Sequence, residues 1–220
     1  MILQRSLLLI VAFVSLAGTL GAQSTKVSET DFYKAISGAE KKRRNISHRE
    51  TTIKSGYYIG VSEKTVWEYG PDDTSRWLQV TVTNGRETDR IEQIHIRDAL
   101  YIRQADGSWR KKASRGIGIG EGYAGSMEFP KSKAVEYLEV GSERINGVAT
   151  RHFRYELTET YAPSDLPSVR VTTTDYWLNS DGLLVKEIDE GNVAGSPRRY
   201  KIVTEYEYDE NLRIVAPVVD

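Results

Sequence analysis

The stretch Ala134–Leu157, AVEYLEVGSERINGVATRHFRYEL, decides the fold. It reads as a strand, a tight turn and a returning strand. Asn146-Gly147 supplies the turn, because a two-residue type I′ hairpin needs positive φ at both central positions. On the return, Phe153, Tyr155 and Leu157 alternate with Arg154 and Glu156. One face is apolar and the other charged, the pattern of a half-buried strand.

The same period of two runs outward in both directions. It predicts strands at 45–54, 57–61, 64–70, 76–83, 90–97, 99–104, 108–112, 134–144, 148–160, 168–178, 183–190 and 199–209. Gly70-Pro71-Asp72-Asp73, Asn84-Gly85, Asp106-Gly107, Asn179-Ser180-Asp181-Gly182 and Asp209-Glu210-Asn211 punctuate them as turns. Short strands, close turns and little helix point to a β-dominated α+β chain. The expected architecture is one long curved antiparallel sheet. The 28% charged composition fits a sheet that keeps one polar face. One helix is expected at 29–41. Ser28 can cap it, Phe32, Ala35, Ile36 and Ala39 recur at helical spacing, and Lys41–Arg44 fall where the helix dipole favours cations.

Two stretches stand outside this pattern. Residues 1–22 carry Arg5, an apolar run from Leu7 to Val14 and small residues up to Ala22, which together read as a cleaved secretory signal peptide. The rest, 23–220, is expected to be one domain, because no Pro-rich linker or repeat divides it. The chain has no cysteine, so no disulfide can support its core and no lipid can be attached through a cysteine after the signal. The expected location is the periplasm or the medium, as a soluble protein. The second outlier, Arg115–Pro130, holds Gly116, Gly118, Gly120, Gly122 and Gly125 and reads as a long loop or lid.

Chemistry-bearing patterns are weak. Gly120–Gly125 matches G-x-G-x-x-G but lacks the strand–helix context of a dinucleotide site. His48, His95 and His152 lie on three predicted strands with no metal-ligand spacing, and are expected at the surface or at sheet edges. No G-x-S-x-G elbow occurs. Glu136/Glu139 and Glu156/Glu159 are the carboxylate pairs a glycosidase would require, without further support. No catalytic residue, metal or cofactor is therefore assigned, and the chain is not expected to be an enzyme. The net charge of −1 gives no general attraction to nucleic acid or to anionic membrane. Basic clusters at Lys41–Arg44, Arg110–Lys112 with Arg115, and Arg198-Arg199 with Lys201 would steer the protein to anionic lipid or an acidic partner only if they converged in space. Four Trp and 13 Tyr are ordinary cross-strand partners, or else the lining of an apolar cavity.

Four stretches carry a family resemblance: Phe32–Thr52; Ala99–Gln104 with Asp106–Lys111; Val140–Val148 with Arg151–Tyr155; and Tyr176–Asn179 through Gly182–Lys186 with the closing Ile202–Pro217. In them the chain resembles the periplasmic lipid and lipoprotein carriers of the outer-membrane lipoprotein-sorting type, LolA-like and LppX-like. The resemblance implies an incomplete barrel of about eleven strands, lidded by helices around a cavity that shelters acyl chains, with no chemistry performed. No functional residue transfers from it. On this reading the cavity wall is expected to be Trp67, Leu78, Val80, Val82, Ile94, Ile96, Leu100, Ile102, Phe153, Tyr155 and Tyr206, on the premise that the sheet gathers its apolar alternation on one side. The ligand would be an acyl-bearing lipid or lipoprotein. The competing reading is a binding or structural module whose cavity is filled by its own side chains and whose sheet edge or basic rim meets another envelope protein.

Overall fold

A computed structural model of the chain describes residues 24–113, 131–160, 169–192 and 198–219. The expected signal segment and the lid glycines Gly116, Gly118, Gly120, Gly122 and Gly125 lie outside the described residues. In order, the elements are β1 (Thr25–Lys26), α1 (Glu29–Arg43), β2 (His48–Ser55), β3 (Val61–Tyr69), β4 (Thr74–Thr83), β5 (Arg86–Ile96), β6 (Ala99–Arg103), β7 (Trp109–Ala113), β8 (Ser132–Ile145), β9 (Val148–Thr160), β10 (Val169–Asn179), β11 (Leu184–Asn192) and β12 (Arg199–Tyr208).

All twelve strands form one antiparallel sheet, ordered β1-β8-β9-β10-β11-β12-β2-β3-β4-β5-β6-β7. Among the described residues the sheet does not close, and β1 and β7 are its edges. Most neighbours are sequential hairpins. The seam between the two halves is β12 on β2, paired from Lys201↔Ser55 to Tyr208↔His48. The Asn146-Gly147 turn takes φ of 50° and 83°, as a type I′ turn demands. It sets Ile145 opposite Val148, and a bulge at Val140 re-registers the rest of β8 on β9.

Helix α1 begins at Ser28, whose hydroxyl oxygen accepts from the Asp31 backbone N–H at 3.1 Å. Glu29 and Asp31 sit in its first turn and Lys41, Lys42 and Arg43 in its last, matching the dipole at both ends. Its buried stripe is Phe32, Ile36 and Ala39. Phe32, only 2% exposed, sits among the Tyr137, Phe153 and Tyr176 rings at 5.1, 6.3 and 6.0 Å. Leu178 and Leu184 complete that core, with Tyr155 and Tyr206 packed against it. The side chains under the helix thus come from β8 to β12.

Two elements differ from the sequence expectation. The strand expected at 57–61 is absent: residues 57–60 are the tip of the β2–β3 hairpin and Val61 opens β3, because Gly56 and Gly60 turn the chain at φ of 86° and 69°. The two-residue β1, paired through Thr25↔Glu139 and Lys26↔Leu138, is too short to show alternation.

Candidate functional site: the helix-side face of the sheet

Residues opposite one another in a ladder share a face, so the register sorts every strand residue to one side of the sheet. One row on the helix side runs Phe153, Tyr176, Glu187, Thr204, Thr52, Thr65, Gln79, Ile91. A second runs Tyr206, Glu50, Trp67, Trp77, Gln93, Ile102, and a third runs Tyr208, His48, Tyr69, Ser75, His95, Leu100.

This sorting divides the expected cavity wall. Trp67, Leu100, Ile102, Phe153, Tyr155 and Tyr206 face the helix side. Leu78 pairs with Val66 and Glu92, Val80 with Lys64 and Arg90, Val82 with Ser62, Ile94 with Arg76 and Tyr101, and Ile96 with Ala99, all on the opposite face. The premise that one side gathers the apolar alternation is corrected by the register: β4 carries Trp77 on one face and Leu78 on the other. Within the helix-side group, Phe153 and Tyr155 pack around Phe32, and Tyr206 closes the same cluster.

Beyond the helix core the helix-side face changes character. Trp67 stacks on Trp77 at 5.8 Å and on Tyr69 at 5.9 Å, and Tyr69 stacks on His48 at 4.7 Å. The row beside these rings is polar. The Thr52 and Thr204 hydroxyls share a hydrogen bond at 3.0 Å, and Gln79 donates to Glu63 at 2.7 Å. Trp67, Trp77, Gln79, Ile91 and Ile102 are all half-buried. The face therefore offers aromatic edges and aliphatic branches next to hydroxyl and amide groups.

At the boundary between the two regions lies a charged cluster. Arg43, at the helix C-terminus, pairs with Glu50 and lies over the Tyr206 ring at 5.3 Å. The Tyr206 hydroxyl donates to Glu187 at 3.2 Å. Burial pushes the Glu187 carboxyl above the usual glutamate range; the Tyr206 hydrogen bond opposes this, and Asp189 and Glu40 add to it. Burial likewise raises Asp189, against a hydrogen bond from Tyr200.

Two of the three histidines, His48 and His152, are buried rather than at the surface or a sheet edge as expected. His48 is buried, with its ring nitrogens at 2.7 Å from the Ile46 carbonyl and 3.1 Å from Glu50. Burial lowers its pKa most, the Ile46 carbonyl opposes this, and Arg43 lowers it further. His152 is buried on the opposite face, stacked on Trp177 at 4.4 Å, with its ring nitrogens at 2.6 Å from Asp175 and 3.3 Å from Glu143. His95 is half-buried on β5. Among the described residues, no group of three or more His, Asp or Glu side chains is arranged to hold a metal ion.

The opposite face carries a ladder of charge that sequence reading missed. Glu207, Arg49, Glu68, Arg76, Glu92 and Arg103 alternate in sign across five strand boundaries, with contacts of 3.2, 2.7, 3.3, 2.6 and 2.9 Å. Among the described residues, which do not include Arg115, the basic clusters do not converge. Lys41–Arg44 end the helix, Arg110–Lys112 line the β7 edge, and Arg198-Arg199 open β12 at the end of the sheet opposite to that of its Tyr208. A cleft of about 520 Å³ at that last end is lined by Tyr58, Ile59, Val61, Val82, Arg198 and Arg199, among others. Another, of about 480 Å³, lies by Arg44, Tyr69, His95 and Arg97. Among the described residues no helix is long and apolar enough to cross a membrane.

No family model matches the chain, and no curated protein matches it. Solved structures similar in fold include MucB in its complex with MucA(peri), at 14% identity and a TM-score of 0.36. That match covers 87% of this chain and 57% of the other, so the chain spans little more than half the MucB length. Another is a domain described as an outer membrane lipoprotein-sorting protein from Vibrio parahaemolyticus, at 10% identity and a TM-score of 0.26, covering 81% of this chain and 95% of that one. Likeness at this level carries no argument about function.

Proposed function

We propose that the protein is a non-catalytic carrier or sensor of the bacterial envelope, exported by its N-terminal segment, that holds an acyl-bearing ligand on the helix-side face beyond α1. The observation that carries this reading is the half-buried aromatic row Tyr69, Trp67, Trp77, which continues the face of the packed core past the residues that α1 fills. Apolar neighbours Ile91, Ile102 and Leu100 would take an acyl chain, and Thr52, Thr65 and Gln79 a polar linkage. Shielding about ten methylenes would contribute on the order of 8 kcal/mol before the costs of ordering. The Phe153 and Tyr155 part of the expected wall serves as core in this reading.

Native mass spectrometry of protein purified from its own envelope tests it. The expected result is a co-purifying species of lipid mass that is lost in a Trp67→Ala/Trp77→Ala variant that still melts cooperatively. Protein that carries no lipid and binds no apolar dye would sink the proposal. It would favour the module reading, in which a sheet edge or the basic rim meets another envelope protein.

A further inference from the structure

The β2–β3 hairpin tip is the most exposed apolar point of the described chain outside its C-terminal tail. Tyr58 is 70% exposed and Ile59 82%, where a soluble protein ordinarily places polar turn residues. The loop is not a slack one. A Cβ on Gly56 would overlap the Arg199 carbonyl oxygen, and one on Gly60 would overlap the Asn84 side chain. Gly60 accepts from the Asn84 N–H at 2.7 Å, and the Val61 N–H reaches the Tyr58 carbonyl at 3.3 Å. Tyr57 stacks on Tyr200 at 4.9 Å, and the Arg198 guanidinium donates to the Tyr57 carbonyl at 3.4 Å. The chain is thus held so that two large apolar side chains project from a fixed base.

The base is basic. Arg198 and Arg199 are exposed, and both line the same cleft as Tyr58 and Ile59. Arg86, also exposed, opens β5 two residues after Asn84. The nearest acid in sequence to Arg86, Glu87, is already engaged by Arg90 at 2.8 and 3.0 Å. An aromatic and an aliphatic side chain beside the Arg198–Arg199 pair match the layering of a bilayer surface. Tyrosine favours the headgroup level, isoleucine the acyl boundary, and arginine the phosphates. A stable protein interface takes roughly 20–30 residues a side; two projecting side chains are too few for that and enough for a wedge.

We infer that the Tyr58-Ile59 tip docks on an anionic lipid surface, with Arg198 and Arg199 against its phosphates. The contact orients the molecule with this end of the sheet toward the bilayer. It does not depend on the carrier reading, since a protein with a fully packed interior would dock in the same way.

Co-sedimentation of the full chain with phosphatidylglycerol–phosphatidylcholine vesicles tests the inference, with pure phosphatidylcholine as the comparison. The expected result is binding to the anionic vesicles that weakens sharply as salt rises from about 0.1 to about 0.5 M. Tyr58→Ser/Ile59→Ser should lower the partition coefficient by about tenfold or more. Arg198→Gln/Arg199→Gln should lower it by about fivefold per cation. The chain has no cysteine, so Ile59→Cys carries a single polarity-sensitive fluorophore, and its emission should shift to the blue on anionic vesicles alone. Equal binding by wild type and the tip variant would overturn the inference, as would a label whose emission is unmoved by vesicles. Loss of an envelope protein partner in the tip variant, with vesicle binding unchanged, would overturn it in favour of protein docking.

Discussion

Glu187 is where burial and charge conflict most directly. Its carboxylate sits on the helix-side face beside Tyr206, and burial raises its pKa against that hydrogen bond. A carboxyl whose folded pKa lies above its unfolded value favours folding in its protonated form. Its contribution to stability is therefore largest at low pH and declines as pH climbs from the unfolded value through the folded one. Glu187→Gln leaves an oxygen for the Tyr206 hydroxyl and removes the ionisation. The expected outcome is a higher Tm at pH 7 and a flatter rise of stability on acidification toward pH ~5, read by thermal melts across that range. Leu184 is the contrasting case, a wholly apolar residue 1% exposed in the helix core. Leu184→Ala should cost about 2–5 kcal/mol in urea unfolding with little change in slope, because the cavity is walled by ordered strands. Neither position stood out in the sequence. Glu187 belongs to an alternating stretch that reads equally well with either set facing inward, and only its pairing with Tyr176 and Thr204 decides.

Among the elements, α1 was the most legible, since its cap, its stripe and its terminal charges all indicate the same boundaries. Ser28→Ala should cost about 1 kcal/mol by removing the acceptor for Asp31 N–H, measurable as a shift in the denaturation midpoint. Most strands were legible for a similar reason: period two and turn residues agree. The run Tyr57-Tyr58-Ile59 was not. It has the composition of a strand, and the two flanking glycines that make it a tip look the same in sequence as two turn glycines around a short strand. Gly56→Ala separates these roles. With φ at 86° and the Arg199 carbonyl in the way, it should destabilise the protein by more than about 1 kcal/mol and loosen the tip. The loss should appear both in melts and as faster proteolysis at the tip. The residues expected to share one wall fall on both faces of the sheet, because alternation fixes which residues of one strand share a face but not which face of its neighbour they join. On β4 both faces carry large apolar groups, Trp77 and Leu78, and the pairing of Trp67 with Trp77 settles the matter only once register is known.

At the scale of the whole molecule, an open sheet that α1 covers only in part must keep the uncovered parts of its two faces in water without offering them for aggregation. The charge ladder from Glu207 to Arg103 does this on the face opposite the helix, tying β12, β2, β3, β4, β5 and β6 together through side chains as well as backbone. Glu92 is its most buried member, 4% exposed, and takes contacts from two arginines. Burial alone would raise the Glu92 pKa, but the hydrogen bonds from Arg103 and Arg76 outweigh it and hold the carboxyl below the usual range. Asp175 follows the same pattern: burial would raise it, and His152 and Arg154 lower it. Carboxyls depressed in the folded state stabilise the protein above their unfolded pKa and lose that contribution as pH falls through the folded one. Glu92 and Asp175 therefore withdraw stability as the pH falls, while Glu187 and Asp189 act in the opposite direction. Glu92→Gln isolates the ladder. It leaves Arg76 and Arg103 without their shared charge, and because both guanidinium groups are about 40% exposed and screened by water, the cost at pH 7 should be about 1–3 kcal/mol, below that of a fully buried pair. The variant should also lose less stability than the wild type between pH 5 and pH 3, so that their urea midpoints converge on acidification. Midpoints that stay parallel across that range would mean that the ladder is a solvated surface pattern and that backbone pairing alone holds the β2–β6 half together.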